Sequence, residues 1–288
     1  MIIARLCGGL GNQMFQYATA RAVAYRTGLP LKFDITQFRK DKVVHFYSLN
    51  CFNISGTFAT SQEIQSLNPP RWKIGTVLCC KIKERKVPWY RKNLIKEPDF
   101  AYNPDILKIN KSSYLVGYWQ SEKYFKDIAP IIRNEFTFKK KPDGTRYEIM
   151  KKINSINSVS LHVRRGDYMT NPKFAVLDLD YYERAINLIL IKVSKPEIFV
   201  FSDDIPWVKN NLKIPLPLHY ISNNGTTKDY EDLQMMKECR YHIIANSSFS
   251  WWAAWLAEYS QKIVIAPNKW FNINKNTKDL IPEGWFRL

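Results

Sequence analysis

The segment His162-Val163-Arg164-Arg165-Gly166-Asp167-Tyr168 sets two adjacent guanidiniums and a carboxylate around a glycine. A guanidinium is a rigid planar fork of donors that matches the oxygens of a phosphate, and a neighbouring pair suits a diphosphate. The apolar run Val159-Ser160-Leu161 that precedes them reads as a strand. The arginines therefore stand at a strand end, where α/β folds bind ligands. A structural ion-pair cluster with Asp167 is the other reading. Two charges at a glycine turn are costly to bury for stability alone, which favours a ligand. His162 reads equally as an ordinary buried imidazole or as part of the same site. The chemistry suggested is the holding of a nucleoside diphosphate without a metal ion.

Two further loops complement this one. Ser202-Asp203-Asp204 follows the run Ile198–Ser202; its carboxylates suit ribose hydroxyls or a guanine edge, or they cap a short helix begun by Pro206. Asn246-Ser247-Ser248-Phe249 opens a tryptophan-rich helix. Hydroxyls beside the free N–H groups and positive dipole end of a helix form a ready phosphate site. The helix itself is apolar around most of its circumference, so Trp251, Trp252 and Trp255 read as core before they read as a sugar platform. Near the N-terminus, Gly8-Gly9-Leu10-Gly11-Asn12-Gln13 lacks the third small residue of a dinucleotide loop. No Gly-Lys-Ser or Gly-Lys-Thr follows it, so neither a Rossmann NAD site nor a P-loop is supported. Its glycines allow close approach of a ligand, with Asn12 and Gln13 reaching sugar hydroxyls; a tight strand-to-helix turn capped by Asn12 is the alternative.

These loops need elements to carry them. A strand over 2–7, a helix over 12–27 with Gly28 at its C′ position and a strand over 31–34 form a βαβ unit, which predicts a parallel sheet. Residues 37–113 show little periodicity and read as loops and short helices. A strand over 114–119 and a helix over 121–133 follow, then a connection at 138–144. Beyond it strands (159–163, 198–202, 218–221, 242–245, 263–266) alternate with helices (180–193, 229–239, 249–259), the pattern of a doubly wound α/β domain. Two domains are expected, 1–140 and 141–288, with a ligand cleft between them.

Composition bounds the partners. A chain of 288 residues with 45% hydrophobic content is a folded protein with room for two domains. Its net charge of +17 favours anionic partners. Five cysteines without a framework point to a reducing, cytoplasmic setting, and no spacing suits a zinc site. No apolar run approaches the ~18 residues of a membrane span, and no signal peptide is recognisable. Between Arg71 and Lys96 basic residues interleave with Trp72, Trp89 and Tyr90. This stretch reads as a solvated face, as a peripheral contact with anionic membrane, or as a single-strand nucleic-acid surface. No nucleic-acid-binding signature accompanies it. A non-catalytic basic module that binds nucleic acid or polysaccharide is the rival from another class.

Gly8 to Ala18, His162 to Tyr168, Phe201 to Asp204 and Asn246 to Trp252, with Gly117-Tyr118-Trp119-Gln120-Ser121-Glu122-Lys123-Tyr124-Phe125 between them, resemble the α-1,2-fucosyltransferases, glycosyltransferase family 11, in its short bacterial form. The resemblance spans nearly the whole chain. It implies a GT-B fold of two Rossmann-like domains, GDP-fucose as donor, inversion at the anomeric carbon and no metal. The acceptor it implies is the 2-hydroxyl of a terminal β-galactoside, free or lipid-linked, in surface polysaccharide; another glycan or a protein hydroxyl is the alternative. With GDP-fucose as donor, Arg164 and Arg165 are the expected catalytic contacts of the diphosphate, assisted by Ser247 and Ser248; His162, Asp203 and Asp204 are candidates for guanine or ribose, and Phe249 for the donor site. Asp167 is the nearest candidate for a base, and Asn12, Gln13, Gln120 and Tyr124 are candidates for acceptor or fucose contacts.

Overall fold

The computed structural model describes residues 1–39, 45–69, 88–221 and 229–288. The basic residues Arg71 to Lys86 lie outside the described residues; Trp89, Tyr90, Arg91, Lys92 and Lys96 lie within them. The chain forms two compact units. The first comprises Met1–Thr137 with Asn276–Leu280, the second Phe138–Lys275 with Ile281–Leu288.

The first unit is built on a parallel sheet of β1 (Ile2–Arg5), β2 (Leu31–Asp34), β3 (Thr57–Phe58), β4 (Leu94–Lys96) and β5 (Ser113–Val116), in the order β3-β2-β1-β5-β4. The central strand β1 carries Ile2, Ile3 and Ala4, all buried, as expected where helices or loops cover both faces. The first helix, Leu10–Thr27, begins two residues earlier than its periodicity suggests and ends on Gly28 at φ 67°, a left-handed position that glycine fills without strain. Its alanines let it lie close to the sheet, and Ala18, Ala20 and Ala22 are buried. Two carboxylates tie this unit together. Asp34 at the end of β2 accepts from the Tyr114 hydroxyl on β5 at 2.5 Å. Glu135 accepts from Tyr17 Oη (2.7 Å), Arg21 Nε (2.9 Å) and Ser55 Oγ (2.9 Å).

The second unit holds β6 (Asn157–Val163), β7 (Pro196–Ser202), β8 (Leu218–Ile221), β9 (Tyr241–Ile243), β10 (Val264–Ala266) and β11 (Phe286–Arg287), ordered β11-β10-β9-β6-β7-β8. Every pairing is parallel. All C-terminal strand ends therefore reach one edge. The chain leaves β6 for β7 on one side and returns for β9 on the other, which makes that edge a topological switch point. Val159, Leu161 and Val163 of β6 pack with Tyr182, Ala185 and Ile189 of the helix Leu179–Lys192 in a closed core.

Some elements differ from expectation. The helix Gly144–Ser155 buries only Ile153, so it carries no apolar stripe to announce it. Residues 121–133 are not one helix: two 3₁₀ turns, Glu122–Tyr124 and Lys126–Ile128, precede a short helix, Ala129–Glu135, with Pro130 in its first turn. The strands β3, β4 and β11 are two or three residues long, below the span at which alternation is readable. The division falls at Thr137–Phe138, and Asn276–Leu280 goes back to the first unit, where Asp279 accepts from Tyr102 N (3.1 Å) and Lys123 Nζ (2.5 Å).

Glu135 leads to a stability prediction. Removing it strands Arg21 and the buried Tyr17 hydroxyl, so Glu135→Ala is expected to lower unfolding free energy by about 3 kcal/mol in urea titration. A loss below about 0.5 kcal/mol, the scale of a solvent-screened pair, means that the cluster is not a stabilising hub.

Candidate active site

The pairing of β6 with β7 sets Val163 opposite Ser202, so the next residues of each strand meet. Arg164 Nη1 lies 3.1 Å from Asp203 Oδ2, and Arg165 Nε lies 3.3 Å from Asp204 Oδ2. The backbone N–H of Arg165 donates to Asp203 Oδ1 at 2.9 Å. Asp203 thus serves the side chain of one arginine and the main chain of the next. The Arg165 guanidinium also sits 3.8 Å from the centroid of the Trp207 ring, in cation–π range. A Cβ at Gly166 would stand 2.6 Å from Asp203 Oδ2, which explains why glycine occupies this turn. The two carboxylates, read from sequence as cap or ligand, are engaged with the arginines. Asp204 in addition caps the helix Ile205–Asn211 through Trp207 N at 3.1 Å. They hold the two guanidiniums in place.

The third loop arrives beside this one. Asn246 is buried, and its Nδ2 donates to Ala175 O and Trp270 O at 2.8 and 2.9 Å. Ser247 caps the helix Ser248–Leu256 by accepting from Phe249 N at 3.3 Å, while Trp251 and Trp252 are fully buried in the core. Tyr168 joins the two loops: its hydroxyl donates to Asn246 O at 3.0 Å, and its ring stacks on Phe174 at 4.3 Å. In the sequence, the only local signal for this role of Tyr168 is an aromatic two residues beyond the glycine.

His162 lies inside the unit, 5% exposed, with its ring 5.9 Å from that of Phe249. Burial, and then the charge of Arg164, lowers its pKa to about 3. It backs the site as a neutral imidazole and offers no surface to guanine or ribose. Asp167 falls in the 3₁₀ turn Gly166–Tyr168, and its side chain lies outside what is described.

In the first unit, Gln13 and Tyr124 are corrections. Gln13 is buried and its carboxamide makes three local bonds, to Gly8 O (2.8 Å), to Phe46 O (2.8 Å) and from Ser48 N (2.9 Å). Tyr124 is 1% exposed, with its hydroxyl accepting from Asn103 N at 3.0 Å. Neither presents a surface to a sugar. Gln120 Nε2 donates to Asn12 Oδ1 at 2.7 Å, so these two meet at the glycine turn.

The profile of glycosyl transferase family 11 matches residues 1–288. The chain belongs to glycosyl transferase family 11. This family 11 enzyme is 34% identical to an alpha-1,2-colitosyltransferase of Escherichia coli, over 100% of its own length and 99% of the relative's. It is also 34% identical to the O-antigen biosynthesis glycosyltransferase WbnK of Escherichia coli, covering 98% and 99% of the two chains. Identity to galactoside alpha-(1,2)-fucosyltransferase 2 of Mus musculus is 24%, over 96% of this chain and 75% of the mouse protein. Among solved structures, POFUT1 in complex with GDP-fucose superposes with a TM-score of 0.50 at 14% identity, covering 91% and 95% of the chains. A variant of Arabidopsis thaliana FUT1 in complex with GDP gives 0.50 at 12% identity, covering 91% and 69%. The fold is the expected GT-B type. Among the described residues, no helix is long and apolar enough to cross a membrane.

The buried imidazole leads to a pH prediction. The folded pKa of His162, about 3, lies below its ordinary 6.5, so the unfolded chain takes up a proton that the folded one refuses. Stability is full above pH 6.5 and falls toward pH 3, by roughly 1.4 kcal/mol per pH unit for this group. In urea titrations between pH 6.5 and 4.5, His162→Leu is expected to show a shallower decline than the wild type. Parallel declines exclude a neutral buried imidazole.

Proposed function

We propose that this family 11 enzyme transfers L-fucose from GDP-β-L-fucose to the 2-hydroxyl of a terminal β-galactoside, forming an α-1,2 linkage in a surface glycan. The observation that carries the reading is the pair Arg164 and Arg165, held by Asp203 and Asp204 at the switch point of the second sheet. The names of the relatives support the sugar class and the linkage. In this mechanism the acceptor hydroxyl oxygen attacks the anomeric carbon opposite the departing β-phosphate, which inverts that centre, and the hydroxyl proton passes to a base, for which Asp167 is the candidate carboxylate. The bond from carbon to phosphate oxygen breaks, its electron pair leaves with GDP, and negative charge grows on the diphosphate. Guanidiniums fixed before the reaction stabilise that charge without reorganisation. Ser247, Ser248 and the helix N-terminus behind them add oriented donors. With two fixed cations at the diphosphate, no divalent metal is required. If the acceptor is lipid-linked, the basic stretch Arg71 to Lys96 would hold the enzyme at an anionic membrane surface.

A second reading concerns the donor. The similarity to an alpha-1,2-colitosyltransferase favours testing GDP-colitose, whose sugar lacks the 3-hydroxyl of L-fucose. Competing the two donors over one β-galactoside panel, with product linkage determined, decides between them.

Arg164→Ala is expected to lower kcat by roughly 100-fold or more while circular dichroism stays unchanged. Near-normal turnover in that variant removes the leaving-group argument. Turnover in EDTA is expected to equal that of the untreated enzyme; strict dependence on added Mg²⁺ or Mn²⁺ contradicts the metal-free mechanism.

A further inference from the structure

The glycine turn of the first unit is surrounded by construction that its own folding does not explain. On one side, Gln13 fixes the backbone of Phe46 and Ser48 through the bonds described above, and Ser48 Oγ adds a third anchor on Phe46 O at 3.0 Å. This lays the His45 ring 3.6 Å from where a Cβ of Gly9 would stand. The adjacent Phe46 ring is left 67% exposed on an immobilised backbone. On the other side, the turn after β5 is held in a disfavoured shape. Trp119 is buried at φ 55°, a left-handed conformation that a bulky side chain rarely adopts. Glu97 secures it by accepting from Tyr118 N at 2.7 Å and Trp119 N at 3.0 Å. A Cβ at Gly117 would stand 2.5 Å from Glu97 Cβ, so the turn admits only glycine there. Its product is Tyr118, 41% exposed, with its hydroxyl beside the Cys7 thiol. Gln120 then bonds Asn12 and closes the turn onto the first helix.

Two exposed aromatic rings on clamped backbones, flanking one glycine turn with an imidazole and amides between, match the surface of a pyranose. Its C–H face packs on aromatic rings, and its hydroxyls need donors and acceptors. Backbone held in a sparsely populated conformation is characteristic of functional sites. We propose that Phe46 and Tyr118 form the aromatic rim of a saccharide-binding site on the first unit, with His45 and Asn12 as its polar lining. On the transfer reaction proposed above, on which this assignment rests, the bound saccharide is the acceptor, and these residues set its specificity.

The test measures saturable binding of lactose and of methyl β-glucoside, α-mannoside and N-acetyl-β-glucosaminide by saturation-transfer NMR on the GDP-bound protein, alongside acceptor and donor KM. Phe46→Ala and Tyr118→Ala are each expected to weaken acceptor binding and raise acceptor KM about tenfold, leaving donor KM and Tm unchanged. Phe46→Trp is expected to retain binding. Tyr25→Ala, an exposed aromatic at the far end of the first helix, is the control and changes neither. If another saccharide than the galactoside binds and depends on Phe46, the galactoside reading fails and the site stands. Saccharide binding that neither substitution affects, donor KM or Tm shifting in step, or no saccharide bound at all overturns the site.

Discussion

The ion pairs Arg164–Asp203 and Arg165–Asp204 are the constraint on which the second unit's site depends. Adjacent guanidiniums repel, and each brings several flexible bonds that must be ordered before a phosphate arrives. Asp203 and Asp204 offset the repulsion and, with the Trp207 ring, remove that freedom in advance. The arrangement follows from sheet register: β6 and β7 are paired so that both strands end together, and a one-residue slip would send the carboxylates to the other face. Loop chemistry here is a product of strand pairing.

The same economy recurs in the first unit, where polar side chains fix backbone. Gln13 secures Phe46 and Ser48, Glu97 secures the turn at Tyr118–Trp119, and Glu135 gathers Tyr17, Arg21 and Ser55. Gln13 and Glu135 are buried, which demands full hydrogen bonding, and each carboxamide or carboxylate has three partners. Gln13 and Glu97 place the backbone that carries the exposed rings of Phe46 and Tyr118.

Much of this was readable from residues alone. The alternation of short apolar strands with helices after residue 157 is visible in the chain, and the strand Leu218–Ile221 falls where expected. The helix Gly144–Ser155 escaped because a charged helix with one buried residue leaves no such trace. Within the site, residue type located the three loops but not the division of labour inside them. Gln13 and Tyr124 have the chemistry of ligand contacts, and only their burial against neighbouring residues reveals otherwise. His45 and Phe46 sit in a stretch without periodicity, and nothing local marks them. Their role depends on a glutamine 33 residues away from Phe46 along the chain.

The excursion of Asn276–Leu280 has a consequence for the covalent architecture. A fragment ending at Thr137 would lack the Asp279 carboxylate that receives Lys123 and the Tyr102 amide. A fragment starting at Phe138 would carry that loop with nothing of its own unit to fold against. The two halves are therefore not interchangeable cassettes: a chimaera that swaps one for a relative's must graft this pentapeptide along with the half it serves.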